Sequence, residues 1–282
     1  SAELAPSFAT ADAGMTGHGV AVEGLALHSA SYITTPDSDE MGRTIFFNDR
    51  GNKQTGSHFV EGDPRREWNG SGVITWGIDG VQGATSSGLS QAETNAAIRD
   101  AMGTWQGVRC SNLPLVDLGE APFDYGYVQF LFGVGGGPLV AADLVHAGFL
   151  PGAFFDLLAP GGSSFILGVT FTLSWVDGDG NFTDIDNNGQ TDTALREIYY
   201  NDAFAWNSGS TYDVETVALH EAGHGLSQAH FGSAFTNASG KFQFSPRAVM
   251  NAAYSGVQTR IAQTDNAGHC SNWAEWGQAP KK

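Results

Sequence analysis

Apolar side chains fall at helical spacing in one segment of the last third of the chain. Over residues 214–219 the apolar positions recur with the helical period, and the pattern continues into the residues that follow. Asp213 stands directly before this run, where its carboxylate can accept hydrogen bonds from the first free backbone N–H groups of a helix. The pattern therefore predicts a helix that begins just after Asp213.

A different pattern marks the first 69 residues. Residues 32–35 and 44–47 are short runs of β-branched and aromatic residues, and an acidic turn at 36–40 separates them. These runs predict short strands in an N-terminal extension that covers residues 1–69. Two roles are open for this extension: an added strand-rich flap, or a prosegment that blocks a downstream site with a carboxylate such as Asp37 or Asp63.

The composition is that of an acidic protein with a substantial core. Its 282 residues suffice for one such core with a small additional unit, and its 38 glycines indicate abundant loops and turns. The sequence has no run of about 18 apolar residues, so no membrane span is expected. The formal net charge of −17 disfavours nucleic acid and anionic membranes as partners. We expect a monomer.

The predicted helix carries the strongest chemical signal of the chain. His220 and His224 are four residues apart, so a helix places both imidazoles on one face, one turn from each other. Glu221 follows the first histidine, where its carboxylate can act as a base beside a metal ion without binding the ion. His230 reaches the same point only if the backbone turns after His224. Three imidazoles with an open fourth position are typical of a catalytic zinc site.

These residues resemble the zinc signature of the metzincin metallopeptidases, and the chain is most similar to the matrixins, the matrix-metalloproteinase family. Residues 248–254 resemble the matrixin Met-turn, in which Met250 would form an apolar floor under the zinc ligands. In the same segment Tyr254 would belong to the wall of the S1′ pocket. The resemblance implies a secreted zinc endopeptidase that acts on extended peptide or protein substrates.

Further segments extend the resemblance over about residues 70–277. They are a first strand at 72–78, a first helix at 91–108, a strand at 198–202 and a closing helix at 260–277. The implied fold is an α+β catalytic domain over residues 70–282. It has a twisted, mixed five-stranded sheet, an active-site helix and a backing helix. A small C-terminal subdomain carries the Met-turn and the final helix.

The sequence departs from the family at several positions. Ser227 stands where the matrixins have glycine, at the turn after the second histidine. Serine there either adopts a positive φ at a cost of roughly 1 kcal/mol or requires an adjusted turn. Residues 144–152 resemble the matrixin edge strand, which binds substrate and carries a structural-zinc histidine, here His146. Glycines at 135–137, and tyrosines at 199 and 200, stand where its partner ligands are expected. We therefore predict one catalytic zinc and no second zinc.

An acidic insertion at about residues 177–192 forms a separate metal signal. Counted from position 184, acids or amides fall at positions 1, 3, 5 and 9 with glycine at 6, as in an EF-hand loop, but position 12 is leucine. The insertion is either a structural calcium site, which relieves repulsion among carboxylates, or an acidic turn that is simply solvated. The candidate calcium ligands are Asp177, Asp179, Asp184, Asp186, Asn188 and Asp192.

The two cysteines, Cys110 and Cys270, each fall near the end of a helix that the resemblance implies. They form either a disulfide that ties the first helix to the last, or two separate buried thiols. Three functions stay open: a zinc endopeptidase with Glu221 as general base, a catalytically weak or inactive binding or adhesion protein on the same scaffold, and a zinc hydrolase of other substrates. The intact Glu221 and the three histidines favour the first.

Overall fold

A computed structural model describes residues 20–21, 24–47, 55–66, 72–238 and 242–277 as a mixed α/β domain. The strands are β1 (Val20–Ala21), β2 (Leu25–Thr34), β3 (Thr44–Phe46), β4 (Ser57–His58), β5 (Ile74–Asp79), β6 (Leu115–Ala121), β7 (Leu139–Val140), β8 (Leu144–Leu150), β9 (Ile166–Trp175), β10 (Thr191–Asn201), β11 (Ser233–Thr236) and β12 (Phe242–Ser245). The helices are α1 (Gln91–Gln106), α2 (Tyr127–Phe132), α3 (Gly152–Phe155), α4 (Val214–Gly225) and α5 (Gln263–Trp273).

The main sheet has eight strands, and five of them, β5, β6, β8, β9 and β10, come from residues 70–282, the region for which a mixed five-stranded sheet was predicted. Its order is β3-β2-β9-β10-β8-β5-β6, and β4 also pairs with β10. Strands β10, β8, β5 and β6 run parallel to one another. Strand β9 is antiparallel to β10, β2 is antiparallel to β9, and β3 is antiparallel to β2. The three extra strands, β2, β3 and β4, come from the first 69 residues. The strands predicted at 32–35 and 44–47 overlap β2 and β3 and are confirmed.

The segment at 144–152 is an inner strand, so its assignment as the edge strand is wrong. β8 lies between β5 and β10 and pairs with both, which leaves it no free edge for a substrate backbone. All seven residues of β8 and all ten of β9 are buried. A strand that is buried on both faces shows no alternation of apolar and polar residues, so the sequence pattern does not reveal its place in the sheet.

Other predicted elements lie where they were expected. The first strand and the first helix correspond to β5 and α1, the strand predicted at 198–202 overlaps the end of β10, and the closing helix is α5. Helix α1 begins with a capping box in which Ser90 and Glu93 satisfy each other's backbone N–H groups. None of the helices in the described ranges combines the length and apolar character needed to cross a membrane.

Two apolar clusters cover the two faces of the main sheet. Alternate residues of β10 enter them: Tyr200 belongs to the cluster with α1, α4 and α5, and Tyr199 to the cluster on the other face. Indole Nε1 of Trp105 donates a hydrogen bond to the carbonyl of Leu219 over 2.8 Å and so joins α1 to α4. Helix α4 is therefore held between the sheet and α1, and its position is fixed from both sides.

Residues 55–66 belong to the same packed domain. Arg66 forms a buried ion pair with Asp143 at 3.0 Å, and Phe59 lies in the cluster with α4. The guanidinium of Arg196 in β10 donates to the carbonyl of Ser57 over 2.9 Å. This part of the N-terminal extension is thus tied to the sheet by buried and part-buried contacts.

A disulfide joins Cys110 and Cys270, whose Cα atoms are 5.6 Å apart, and this confirms the first of the two alternatives. Cys110 follows α1 and Cys270 lies in α5, so the bond ties these helices together. The two residues are 160 positions apart in the sequence. On the chain-entropy model, closing such a loop stabilises the fold by about 5 kcal/mol.

Candidate metal centre

Helix α4 positions two of the predicted metal ligands. Asp213 is its N-cap, as predicted, because the carboxylate accepts a hydrogen bond from the backbone N–H of Thr216 over 2.8 Å. The helix is buried along its whole length, apart from one half-exposed residue at 215. His220 and His224 therefore lie one turn apart in a water-poor environment.

The backbone turns after α4 and brings the third histidine to the helix. Ser227 has a φ of +63°, so the first of the two alternatives, a positive φ at a serine, is the one observed. Its hydroxyl has two hydrogen-bonding contacts. A guanidinium N–H of Arg196 donates to Oγ over 2.8 Å, and Nδ1 of His58 lies 2.9 Å from Oγ. Asn272 donates to the carbonyl of Ser227 over 2.8 Å. These contacts hold the turn that leads to His230.

The Nε2 atoms of the three histidines converge on one point. They are 3.1 Å apart for His220 and His224, 3.1 Å for His224 and His230, and 3.3 Å for His230 and His220. Zn–N bonds of about 2.0–2.1 Å at tetrahedral angles place two ligand nitrogens about 3.3–3.4 Å apart. The observed triangle is within a few tenths of an ångström of that requirement. The three residues can therefore hold a metal ion.

Two of the rings have a tautomer that suits a metal. Nδ1 of His220 lies 2.7 Å from the carbonyl of Val249, and Nδ1 of His224 lies 2.8 Å from the carbonyl of Gln228. A carbonyl oxygen only accepts, so both Nδ1 atoms carry the hydrogen and both Nε2 atoms offer a lone pair. Burial lowers the pKa of His220 to about 4 and that of His224 well below its usual range, which keeps both rings neutral.

Glu221 points from α4 toward β9 and β2. The hydroxyl of Thr170 donates to its Oε2 over 2.6 Å, and the backbone N–H of Ile33 donates to its Oε1 over 3.3 Å. Burial raises the pKa of Glu221 to about 8, and these two hydrogen bonds act in the opposite direction. The carboxylate does not join the three-histidine group, which agrees with its expected role beside the metal.

Met250 packs directly under the helix, as the resemblance implies. A Cβ added at Gly223, between the two helical histidines, would overlap the sulfur of Met250. The segment is anchored by Asp265 of α5, whose carboxylate accepts the backbone N–H groups of Val249 over 2.9 Å and of Met250 over 3.1 Å. Because Val249 also accepts from His220, Asp265 indirectly fixes the orientation of a metal ligand.

Tyr254 lies at the end of this segment, beside the start of α4. Its side chain is buried, and its hydroxyl oxygen accepts the backbone N–H of Asp213 over 3.3 Å. Its own backbone N–H donates to the carbonyl of Thr34 over 2.8 Å. The residue therefore contacts both α4 and the end of β2.

The acidic insertion does not bring its six predicted ligands to one point. Asp184, Asp186 and Asp192 have carboxylate oxygens within 4.8 Å of one another, a group that excludes Asp177 and Asp179. Those two residues belong to a separate turn in which the Asp177 carboxylate accepts the backbone N–H of Asp179 over 3.0 Å. In the other turn, Asn188 donates its backbone N–H to Asp184 over 3.0 Å.

Part of the negative charge of the insertion already has a partner. Arg65 forms an ion pair with Asp192 at 2.7 Å, and the same carboxylate also accepts from the Thr183 hydroxyl. Calcium binding by the remaining acidic group stays a prediction. His146, the other residue considered as a ligand, is fully buried in β8, where its Nδ1 lies 2.7 Å from the hydroxyl of Tyr200. It is therefore a packed histidine.

Several residues of the site were not predicted. Thr170 holds Glu221, Arg196 and His58 hold the turn at Ser227, and the backbone of Ile33 enters the site from β2. Each comes from a segment far from 220–230 in the sequence, and a lone threonine or arginine carries no local signal for such a role.

No protein-family model matches this sequence, and no curated protein matches it either. The likeness to the matrixins therefore stays an expectation that rests on the motifs.

Proposed function

We propose that this protein is a secreted zinc endopeptidase of the metzincin type that hydrolyses extended protein substrates. The convergence of three imidazole Nε2 atoms within 3.3 Å of one another carries the proposal. Glu221, next to the first ligand on the same buried helix, supports it. Three neutral imidazoles with a carboxylate beside them are the set of groups that a hydrolytic zinc site needs.

The chemistry follows from the placement of the side chains. A zinc ion held by His220, His224 and His230 would supply a Lewis acid that acidifies water and polarises the scissile carbonyl. Glu221 would take a proton from the attacking water and deliver it to the leaving nitrogen. The Thr170 hydroxyl donates to Oε2 over 2.6 Å, whereas Oε1 accepts the longer, 3.3 Å hydrogen bond from the N–H of Ile33, so Oε1 would serve this transfer once that strand has left. The water oxygen ends in the new carboxylate, and the amide nitrogen leaves as an amine.

Two further observations support this class of enzyme. Met250 lies under the ligand-bearing helix and Tyr254 lies beside it, as expected of an apolar floor and of a wall of the S1′ pocket. The Cys110–Cys270 disulfide suits an oxidising compartment, and the net charge of −17 suits an extracellular protein. Both agree with secretion.

The test combines metal analysis with cleavage of casein. We expect about one zinc per chain and cleavage that a zinc chelator abolishes. Glu221→Ala should keep zinc and fold but lose nearly all turnover, because the general base is removed. Substantial residual turnover in this variant would show that another group is the base. Zinc-loaded chain that never cleaves casein, even after the N-terminal strands have been displaced, would refute the peptidase.

One observation favours the alternative of a catalytically weak or inactive binding protein. Strand β2 pairs with β9 along its length, so the edge of β9 is not open to another peptide in this structure. A permanent strand there would leave a metal centre without access for protein substrates. An active peptidase therefore requires that β2 can separate from β9, whereas an inactive binding protein does not.

A further inference from the structure

Strand β2 lies between two backbone partners at its C-terminal end. On one side it pairs antiparallel with β9 from Leu25 to Thr34. On the other side Thr34 forms a parallel bridge with Ala253, and Tyr254 N–H donates to the carbonyl of Thr34 over 2.8 Å. An extended peptide held along a strand edge has this kind of main-chain pairing, with side chains in alternating pockets. β2 therefore has the geometry of a bound peptide.

The peptide bond between Tyr32 and Ile33 is the part of β2 that reaches the catalytic groups. The N–H of Ile33 donates to Oε1 of Glu221 over 3.3 Å. The carbonyl of the same peptide bond, that of Tyr32, lies close to Gly42. A Cβ added at Gly42 would overlap this oxygen and would lie 3.2 Å from Cε1 of His230. The carbonyl of Tyr32 and the third histidine thus approach the same point. A hydrolysable bond would be expected in this position.

The side chain of Ile33 occupies an apolar pocket at the same place. Ile33 pairs with Gly168 of β9, and a Cβ at Gly168 would lie 3.0 Å from both Cγ of Glu221 and Cγ1 of Val217. Directly opposite residues of antiparallel strands direct their side chains to the same face, so Ile33 faces α4. It is 2% exposed and belongs to the cluster that also contains Val217 and Tyr254. The pocket accepts a branched aliphatic side chain.

A loop that returns from β2 closes the site from the other side. Gly42 N–H donates to the carbonyl of Ala252 over 2.8 Å, and an added Cβ would overlap that carbonyl as well as the one of Tyr32. Only glycine fits here. We call β2, β3 and the loop 35–43 between them the N-terminal hairpin. Among the described strands it pairs with the rest of the sheet only through β9, so it can leave without separating any other pair of these neighbouring strands.

We propose that the N-terminal hairpin is a built-in ligand of the peptide-binding cleft. It lies in the direction and register of a substrate, with Tyr32–Ile33 at the catalytic groups, and it keeps the centre closed until it is released. The released cleft then takes an extended peptide with a branched aliphatic residue after the cleaved bond. This inference rests on the proposed function, because it assigns the substrate position of that same site.

Displacement of the hairpin tests the proposal without any need for turnover. The full chain is loaded with Co²⁺ in place of zinc, and acetohydroxamate is titrated while the visible absorption of the cobalt is followed. Gly42→Ala should bind this chelating probe about tenfold more tightly than wild type, because the fraction of open centres rises. Gly103→Ala is the matched control: Gly103 is exposed in α1 with no atom within 4 Å of an added Cβ. Equal affinities in all three folded proteins would overturn the proposal.

A synthetic peptide tests the register. The peptide of residues 28–36 should compete with acetohydroxamate for Gly42→Ala, whereas the same peptide carrying Ile33→Asp should not. The reason is that the pocket beside Val217 would have to bury an unpaired carboxylate. Failure of the unaltered peptide to compete, or equal competition by both peptides, would contradict the register.

If Gly42→Ala does not fold, a second full-length variant, Ile33→Asp, tests the same proposal. In Ile33→Asp the same buried charge would expel β2. Hydrogen exchange should show lost protection in β2 and retained protection in β9 and β10. A loss of protection throughout would mean that β2 is an integral strand. Casein cleavage separates the two proposals: if the cobalt titrations succeed and no variant cleaves casein after zinc loading, the hairpin proposal stands and the peptidase fails.

Discussion

The hydroxyl of Thr170 donates to Oε2 of Glu221 over 2.6 Å, so a side chain of β9 orients the carboxylate of α4. In Thr170→Val the carboxylate loses this donor and can rotate away from the cleft. We expect kcat/KM on a fluorogenic peptide to fall about tenfold, the equivalent of one hydrogen bond of about 1.4 kcal/mol. Thr170→Ser keeps the hydroxyl and should restore most of the activity. Equal rates for the valine and serine variants would contradict an orienting role.

Asp265 should affect metal affinity although it does not touch the histidines. Its carboxylate accepts the N–H groups of Val249 and Met250, and the carbonyl of Val249 accepts Nδ1–H of His220. In Asp265→Ala this segment loses its anchor. We expect zinc affinity to fall about 10-fold, the lower end of the loss that follows removal of an outer partner of a metal ligand, because Asp265 acts on His220 through Val249. Competition with a chromophoric chelator measures it, and an unchanged affinity would show that the Met-turn holds its position without Asp265.

Ser227 combines an unfavourable backbone angle with a useful hydroxyl. Ser227→Gly relieves a φ of +63° but loses the hydrogen bond from Arg196, which is charged and therefore worth about 1.5–3 kcal/mol. Relief of the backbone returns only about 1 kcal/mol. We expect glycine to lower the free energy of unfolding by about 1 kcal/mol and Ser227→Ala by about 2–3 kcal/mol, since alanine loses the bond and keeps the strain. Urea denaturation gives the ranking, and a glycine variant more stable than wild type would refute this balance.

His58 should make the fold sensitive to acid. Burial, with a smaller effect of the Arg196 charge, lowers the pKa of His58 from 6.5 to about 4. Between these values the unfolded chain binds the proton and the folded chain does not, so this stabilisation is present above pH 6.5 and is lost as the pH falls towards 4. From pH 7 to pH 5 the loss from this residue is about 2 kcal/mol.

The His58→Gln variant isolates that contribution. In metal-free protein, urea midpoints at pH 7 and pH 5 should differ less in the variant than in wild type, by the equivalent of about 2 kcal/mol. Other buried histidines shift both proteins alike and cancel in the comparison. The same pH dependence in both proteins would mean that His58 is protonated in the folded state without cost.

The sequence revealed those parts of the site that lie close together along the chain. His220, Glu221 and His224 share one helical turn, so their spacing alone places them, and Ser227 indicated where a turn brings His230 round. Thr170 and Ile33 reach Glu221 from β9 and β2, and nothing in their local sequence marks that contact. Their role depends on which strands are neighbours, and that in turn depends on packing across the whole sheet.

The error about 144–152 has the same physical origin. β8 lies between β10 and β5, whereas β9 lies between β10 and β2. Because both strands are buried on two faces, their sequences look alike and do not show which neighbours they have. The acidic insertion shows a second limit. Spacing along the loop suggested the candidate ligands, but it could not show that Arg65, from outside the insertion, pairs with Asp192. Nor could it show that Asp177 and Asp179 lie in a turn separate from Asp184, Asp186 and Asp192.

The buried ion pair between Arg66 and Asp143 restricts how this protein could be matured by a protease. A cut beyond residue 66 would strip Asp143 of its cation inside the core, and loss of one member of such a pair typically costs about 3–5 kcal/mol. Loss of Ser57 would also remove a partner of Arg196. A cut that frees the hairpin and spares both contacts has to fall between Phe47 and Ser57. These two contacts therefore confine the N-terminus of a processed form to an interval of ten peptide bonds.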